Sequence, residues 1–426
     1  MDIKRIFLLF IGSVFLLSCS ATYDPLTGKK VYTLLPPEKE IEIGKMYVPL
    51  AIEQNNGRYP DKEVQSYVSS LGMKIAKVVP RKLNYEFYVV NTSAVNAFAL
   101  PGGFIFVNRG LILTLNKEDE LAGVIAHELG HVNARHHARF LEKMYGLSIL
   151  YNIAAIFAYQ TRYGDILLQF GKIGAQLLSL KWSRDQEKEA DILGIRFAYQ
   201  AGYDPRGLLD TFKIFEKLHK TKEPEWLLTH PLPKTREEYV RELIAKYHLN
   251  KNLIVDTPEF HRIKRKLERT KKSFDLYDEA VKKLSQKRPD IEGALKLLNE
   301  SIKLFPNNNA SLTARAFIYA DRERFKEAAL DARKAASLDG LYFSPHFIAG
   351  YALFKLKSYK ESISYLEKAK NLIPSFPDTY YYLGRDYEAL GKYSLAKEYY
   401  KKALKLTDGK RGWEKDAVRR LKNLGY

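Results

Sequence analysis

His127-Glu128-Leu129-Gly130-His131 sets two imidazoles four residues apart with a carboxylate between them. On a helix, residues i and i+4 project from one face, so both imidazoles can reach one Zn²⁺, and Glu128 is placed to polarise water held there. A second spacing of four joins Glu187 and Asp191 in the run Ser183-Arg184-Asp185-Gln186-Glu187-Lys188-Glu189-Ala190-Asp191. A catalytic zinc takes three protein ligands and keeps one position open. The single cysteine, Cys19, is remote from both motifs, so two histidines and a glutamate are the natural set, one zinc per chain. Glu187 and Glu189 are both candidates for the third place. Asp191 would then accept the other N–H of a ligand histidine and fix its tautomer.

These motifs need rigid elements under them. Asn116 with Asp119 three residues later, followed by Leu121, Val124, Ile125 and Leu129, predicts a capped helix that carries the first motif and runs to about Glu142. Helical periodicity also runs from Glu38 through Ile52 and from Val64 through Ile75. Tyr85 to Asn91 and Phe104 to Val107, the latter after the Pro101-Gly102-Gly103 turn signal, predict a small sheet. Beyond the first motif lie two apolar segments, 147–159 and 166–180, each too short to span a bilayer and read as a buried or cleft-covering helical hairpin, with contact with the membrane surface as the alternative. His136 and His137 fall off the ligand face of one continuous helix and are expected in solvent, as are His219, His248, His261 and His346.

His127 to His131, Glu187 to Asp191 with Ser183-Arg184 before them, and Asn96-Ala97-Phe98-Ala99-Leu100-Pro101-Gly102-Gly103 together resemble the HtpX/BepA-type zinc metallopeptidases, gluzincins with a Glu-x-x-x-Asp third-ligand motif. The resemblance covers residues 38–250. It implies His127, His131 and Glu187 as ligands, favoured over Glu189 by the family spacing, with Glu128 as base and Asp191 behind a ligand histidine. Asn96, Ala97 and Phe98 would lie on an edge strand to which an extended substrate adds by main-chain hydrogen bonds. Similar His-Pro loops lie near the cleft in this family. In Thr229-His230-Pro231-Leu232-Pro233-Lys234-Thr235-Arg236 this makes His230 a candidate switch or transition-state group and Arg236 a candidate support.

The amino terminus reads as an export signal: Lys4 and Arg5, an apolar stretch from Ile6 to Leu17, then Leu16-Leu17-Ser18-Cys19, which resembles a bacterial lipobox. Residues 1–18 would be removed and Cys19 lipidated, with 19–37 as a tether. The formal charge of +19 favours anionic partners, but export sets nucleic acid aside and leaves membranes and proteins. The expected place is extracytoplasmic and lipid-anchored, on the periplasmic face of the outer membrane if the envelope is Gram-negative.

The last third repeats. Ala294, Ala328, Ser362 and Ala396 are spaced 34 apart, and Pro306, Gly340, Pro374 and Asp408 mark breaks with the same period, the signature of tetratricopeptide repeats. Gly350 and Gly384 fall at the close-packed position, whereas Asp278 and Lys282 make the first repeat irregular. The expected domains are a peptidase at 38–250, a solvated basic linker helix at 251–274, four repeats at 275–410 and a capping helix at 411–426. The register puts Phe317, Phe347, Tyr351, Tyr381 and Arg385 on the concave groove, available to a partner. The fold class is mainly α, an α+β zincin domain followed by an α-solenoid. The function read from this is a membrane-anchored zinc endopeptidase of the cell envelope, hydrolysing misassembled outer-membrane or periplasmic proteins brought by the repeats, with outer-membrane assembly machinery as a candidate partner. The alternative is a non-proteolytic assembly or chaperone adaptor.

Overall fold

The computed structural model describes residues 20–146, 176–178, 180–219, 224–231, 234–247, 249 and 252–425. The export signal, Cys19, the segment 147–159, most of 166–180, and His248 lie outside the described residues. Among those described, no helix is long and apolar enough to cross a membrane.

The expected tether is instead ordered from Ser20 on. Strands β1 (Ser20–Tyr23) and β2 (Lys30–Thr33) form an antiparallel hairpin, closed where Asp24 accepts from the Leu26 and Thr27 amides. Helix α1 (Pro37–Gln54) starts on a proline that needs no N–H partner there, and α2 (Lys62–Ala76) is capped by Asp61, which accepts from the amides of Glu63 and Val64. The sheet has strands β3 (Glu86–Val90), β4 (Ala97–Leu100) and β5 (Phe104–Asn108) in the order β3-β5-β4, with β3 parallel and β4 antiparallel to β5. Alternation divides its side chains between two cores. Phe87, Val89, Ile105 and Val107 pack with Val64, Val68 and Leu71 of α2, while Tyr88, Phe104 and Phe106 pack with Ile43 and Tyr47 of α1. The turn before β5 tolerates only glycine: Gly102 has φ +82°, and a Cβ there would stand 2.5 Å from Ile41 Cα.

Helix α3 (Arg109–Thr114) leads to α4 (Glu118–Asn133) and α5 (His136–Tyr145). The predicted single helix is thus two, broken at Arg135 with φ +55°. Its start also differs from the expected Asn116 cap. Glu120 turns back to accept from the amides of Asn116 (2.5 Å) and Lys117 (3.2 Å). Helices α6 (Arg184–Gln200), α7 (Arg206–His219), α8 (Glu225–Thr229) and α9 (Lys234–Ile244) complete the domain.

Helix α10 (Pro258–Leu284) merges the expected linker with the first repeat and is not a solvated connector. Its Phe260, Ile263, Leu267 and Phe274 are fully buried in the peptidase core. Asp278, which departs from the repeat pattern, accepts a hydrogen bond from Ser93 of the peptidase domain. Four helix pairs follow the 34-residue period: α10 with α11 (Ile291–Leu304), α12 (Asn309–Asp321) with α13 (Phe325–Leu338), α14 (Phe343–Lys355) with α15 (Tyr359–Leu372), and α16 (Pro377–Ala389) with α17 (Tyr393–Leu406). A Cβ on Gly350 would strike Leu366, and one on Gly384 would strike Tyr400, so these glycines do mark the close crossings. Buried Asp339 clamps the repeats to the peptidase domain, accepting from the Arg58 amide at 2.7 Å and its Nε at 2.8 Å.

Helix α18 (Glu414–Asn423) closes the array and changes the expected groove. Trp413 stacks on Tyr381 at 4.8 Å, and the Tyr381 hydroxyl donates to Asp416, so Tyr381 is buried. Arg385 donates to the Tyr381 hydroxyl and is held with it. Phe347 packs on Phe376, and Tyr351 on Tyr382, each half-buried. Of the five, Phe317 alone is largely exposed, at 62%.

Candidate metal centre

Helix α4 sets the first residues of the site. On α4, His127 and His131 are fully buried and turn their Nε2 atoms toward each other at 3.0 Å. Helix α6 crosses α4 so closely that a Cβ on Gly194 would stand 2.9 Å from His127 Cα, and one on Gly130 would stand 2.6 Å from Ala190 O. Small residues at both crossings bring Glu187 into the same space: Oε1 lies 3.4 Å from His131 Nε2, and Oε2 lies 3.7 Å from His127 Nε2. His230, just after α8, completes the group, with Nδ1 2.8 Å from Glu187 Oε1 and 3.3 Å from His127 Nε2. Donor atoms of all four buried residues fall within 4.8 Å of one another.

A tetrahedral ion bound at about 2.0–2.1 Å separates its donor atoms by roughly 3.3 Å, close to these spacings. Tautomer logic points the same way. His127 Nδ1 is 2.9 Å from Asp191 Oδ1, and a carboxylate only accepts, so this placement favours a proton on Nδ1 and a bare Nε2 lone pair toward the cluster. The residues fit a metal ion.

Charge around the cluster is balanced in pairs. Asp191 receives Arg236 in a two-pronged contact, Nε and Nη2 each at 2.8 Å, and also accepts from the Tyr239 hydroxyl. Burial works to raise the Asp191 carboxyl, but Arg236 and His127 hold it below its usual range. Arg236 Nη1 also reaches Glu187 Oε2 at 2.6 Å; burial again opposes, but His230 and Arg236 keep Glu187 ionised well below the usual carboxylate range. Glu128 differs. Burial pushes it up, opposed by His230 and His127, with the Trp226 indole N–H 3.4 Å from its Oε1. A raised carboxyl suits a group that must both take and return a proton.

The structure thus brings together His127, Glu128, His131, Glu187, Asp191, His230 and Arg236. Glu189, the alternative ligand, points away from the cluster to His136 Nε2 and Arg139. The expectation that His136 and His137 are solvated is wrong: both are buried. On an unbroken helix, His136 would sit about 140° round from His131. The break at Arg135 instead turns it back, with Nδ1 2.8 Å from His131 Nδ1. His137 contacts Trp182 edge-on, and burial pushes it down to about 3, so it stays neutral. His346 is buried too, bonded to Tyr342 O, while His219 is exposed and His261 partly so. The sequence reading also missed two tryptophans. Trp226 stacks on His230 at 4.5 Å, a pairing visible as i and i+4, and Trp182 stacks on His131 at 4.8 Å, for which no local signal existed. Ala97 and Phe98 lie on β4, which pairs only with β5 among the described residues, and Asn96 immediately precedes it.

The family model described as peptidase family M48 matches residues 59–244, and tetratricopeptide-repeat models match 344–376 and 377–409. The beta-barrel assembly-enhancing protease of Yersinia pestis is 30% identical over 230 residues, covering 50% of this chain and 45% of that one. That of Escherichia coli (strain K12) is 31% identical over 236 residues, covering 51% and 46%. The putative beta-barrel assembly-enhancing protease of Vibrio cholerae is 29% identical over 324 residues, covering 68% and 65%. The chain spans about half the length of the first two relatives. With the ligand cluster inside the matched region, the domain at residues 59–244 belongs to peptidase family M48 and is followed by tetratricopeptide repeats.

Proposed function

We propose that the chain is a zinc-dependent endopeptidase of the bacterial cell envelope. The observation that carries this is the convergence of His127, His131 and Glu187 with Glu128 one residue from the first ligand, all buried in one M48 domain. Zinc bound by these donors would acidify water and polarise a substrate carbonyl. Glu128 takes a proton from the attacking water as its oxygen bonds to the scissile carbonyl carbon, then gives it to the departing amine as the C–N bond breaks. Asp191 holds His127 in its ligating tautomer, and Arg236 ties Asp191 and Glu187 together without itself losing charge. His230 lies among the donor atoms as a candidate fourth ligand, and in that role it would hold basal activity low until it withdrew for substrate to enter; the other role open to it is a transition-state group. The edge of β4 around Asn96, Ala97 and Phe98 would receive the substrate backbone.

The relatives are named beta-barrel assembly-enhancing proteases, which agrees with misassembled outer-membrane or periplasmic proteins as substrates and with outer-membrane assembly machinery as a partner engaged through the repeats. Cys19, if lipidated, would hold the enzyme on the periplasmic face of the outer membrane. A non-proteolytic adaptor would have no use for an intact Glu128 beside an intact ligand set. The test is hydrolysis of casein by the purified chain, with chelator and after Zn²⁺ is restored. Activity lost and regained is expected; cleavage indifferent to the chelator would reject the zinc reading.

A further inference from the structure

The two ligand histidines of α4 are backed differently. His127 rests on a carboxylate, Asp191, whereas His131 rests on another imidazole, and that imidazole rests on Glu189. The chain of contacts fixes every proton along it. Glu189 can only accept, so His136 Nε2, 3.1 Å from Glu189 Oε2, carries a proton. With His131 ligating through Nε2, its proton sits on Nδ1, so His136 Nδ1, 2.8 Å away, must be the acceptor. His131 in turn has its bare Nε2 toward the cluster, where it faces His127 Nε2.

We propose that His136 and Glu189 are positioning residues that set the tautomer and ring angle of His131 for the metal. The backbone is built for this purpose at some cost. Arg135 takes a left-handed conformation that a non-glycine residue seldom adopts. It is pinned there by its Nε on Glu40 at 2.8 Å and its Nη2 on Leu35 O at 2.5 Å. Glu40 is buried and also holds Arg81 at 2.9 Å. The resulting bend carries His136 onto His131, and Arg139, one turn further along α5, donates to Glu189 at 2.8 Å. Glu189 therefore acts behind the metal site and not in it.

The inference rests on His131 being a ligand, a premise checked separately by loss of zinc from a His131→Ala chain. The relay is tested by competition of each variant against a chelator for Zn²⁺ at fixed pH, beside the melting temperature of the metal-free protein. His136→Leu fills the space without either hydrogen bond and should weaken zinc binding about 10–100-fold, the usual effect of losing a partner behind a ligand. His136→Gln should recover most of this, since its carbonyl accepts from His131 and its amide donates to Glu189. Glu189→Ala, on a partly exposed face, supplies a second variant that keeps the core intact and should weaken binding in the same direction. Binding by the Leu variant within twofold of wild type, or a Gln variant as weak as the Leu variant at equal melting temperature, would overturn the relay. Nitrogen NMR of the metal-free wild type gives an independent check: a His136 protonated at Nδ1 would also overturn it.

Discussion

Gly194→Ala adds one methyl group at the crossing of α4 and α6. A Cβ at that position would stand 2.9 Å from His127 Cα and 3.0 Å from His127 N, both backbone atoms that cannot rotate aside. Reaching an ordinary carbon separation of ~3.5 Å requires the helices to part by about 0.6 Å. Two effects on stability compete. Alanine favours a helix over glycine by roughly 1 kcal/mol, and overpacking costs about 1–3 kcal/mol, so the net loss is about 0–2 kcal/mol and the melting temperature of the metal-free protein falls only modestly. The metal site is less forgiving, because a parting of about 0.6 Å exceeds the roughly 0.2 Å within which ligand distances must hold. Glu187 and Asp191 ride on α6 while His127 and His131 ride on α4, so the parting acts directly on the ligand set. The expected result is a fall of more than tenfold in zinc affinity, read by chelator competition, with only a modest fall in the metal-free melting temperature. A Gly194→Ala protein with wild-type affinity would refute the claim that this crossing sets the ligand geometry.

His230→Ala should raise basal casein cleavage, because it clears the fourth donor position; an unchanged or abolished rate with zinc retained would remove His230 as a switch. Cys19→Ala should leave the protein exported but free of the membrane, measured by fractionation and by incorporation of labelled fatty acid into the wild type alone. Asp386, buried in α16 and accepting from Ser362 at 2.6 Å, is pushed up to about 7 by burial. The folded state therefore binds a proton more tightly than the unfolded state, so this contribution is full below about pH 4 and is lost as pH rises through about 7. Asp386→Asn should flatten that part of the pH dependence of repeat unfolding, and an unaltered profile would show that Asp386 does not titrate there.

Much of the site was legible because helical spacing is a local property. The fours in His127 to His131 and in Glu187 to Asp191 survive any packing, so their facing sides followed from the sequence. The period of 34 was equally robust, since each repeat packs mainly on its neighbours. What failed depended on contacts distant in sequence. Arg135 looks like an ordinary helix residue, and its contacts with buried Glu40 and Leu35 O, 95 and 100 positions earlier, explain why the helix breaks there and why His136 is buried. The basic run in α10 reads as solvated by charge, yet Phe260, Ile263, Leu267 and Phe274 form a stripe that the peptidase core covers. Tyr381 kept its place in the repeat register but was covered by Trp413, which lies beyond the last repeat.

The central claim, a metal site whose proton carrier is Glu128, is tested most directly by metal content and casein hydrolysis measured together on Glu128→Gln. The substitution removes the base and leaves His127, His131 and Glu187 untouched, so about one zinc per chain should remain while hydrolysis falls by orders of magnitude. A Glu128→Gln protein that holds its zinc and cleaves casein at the wild-type rate would contradict the account.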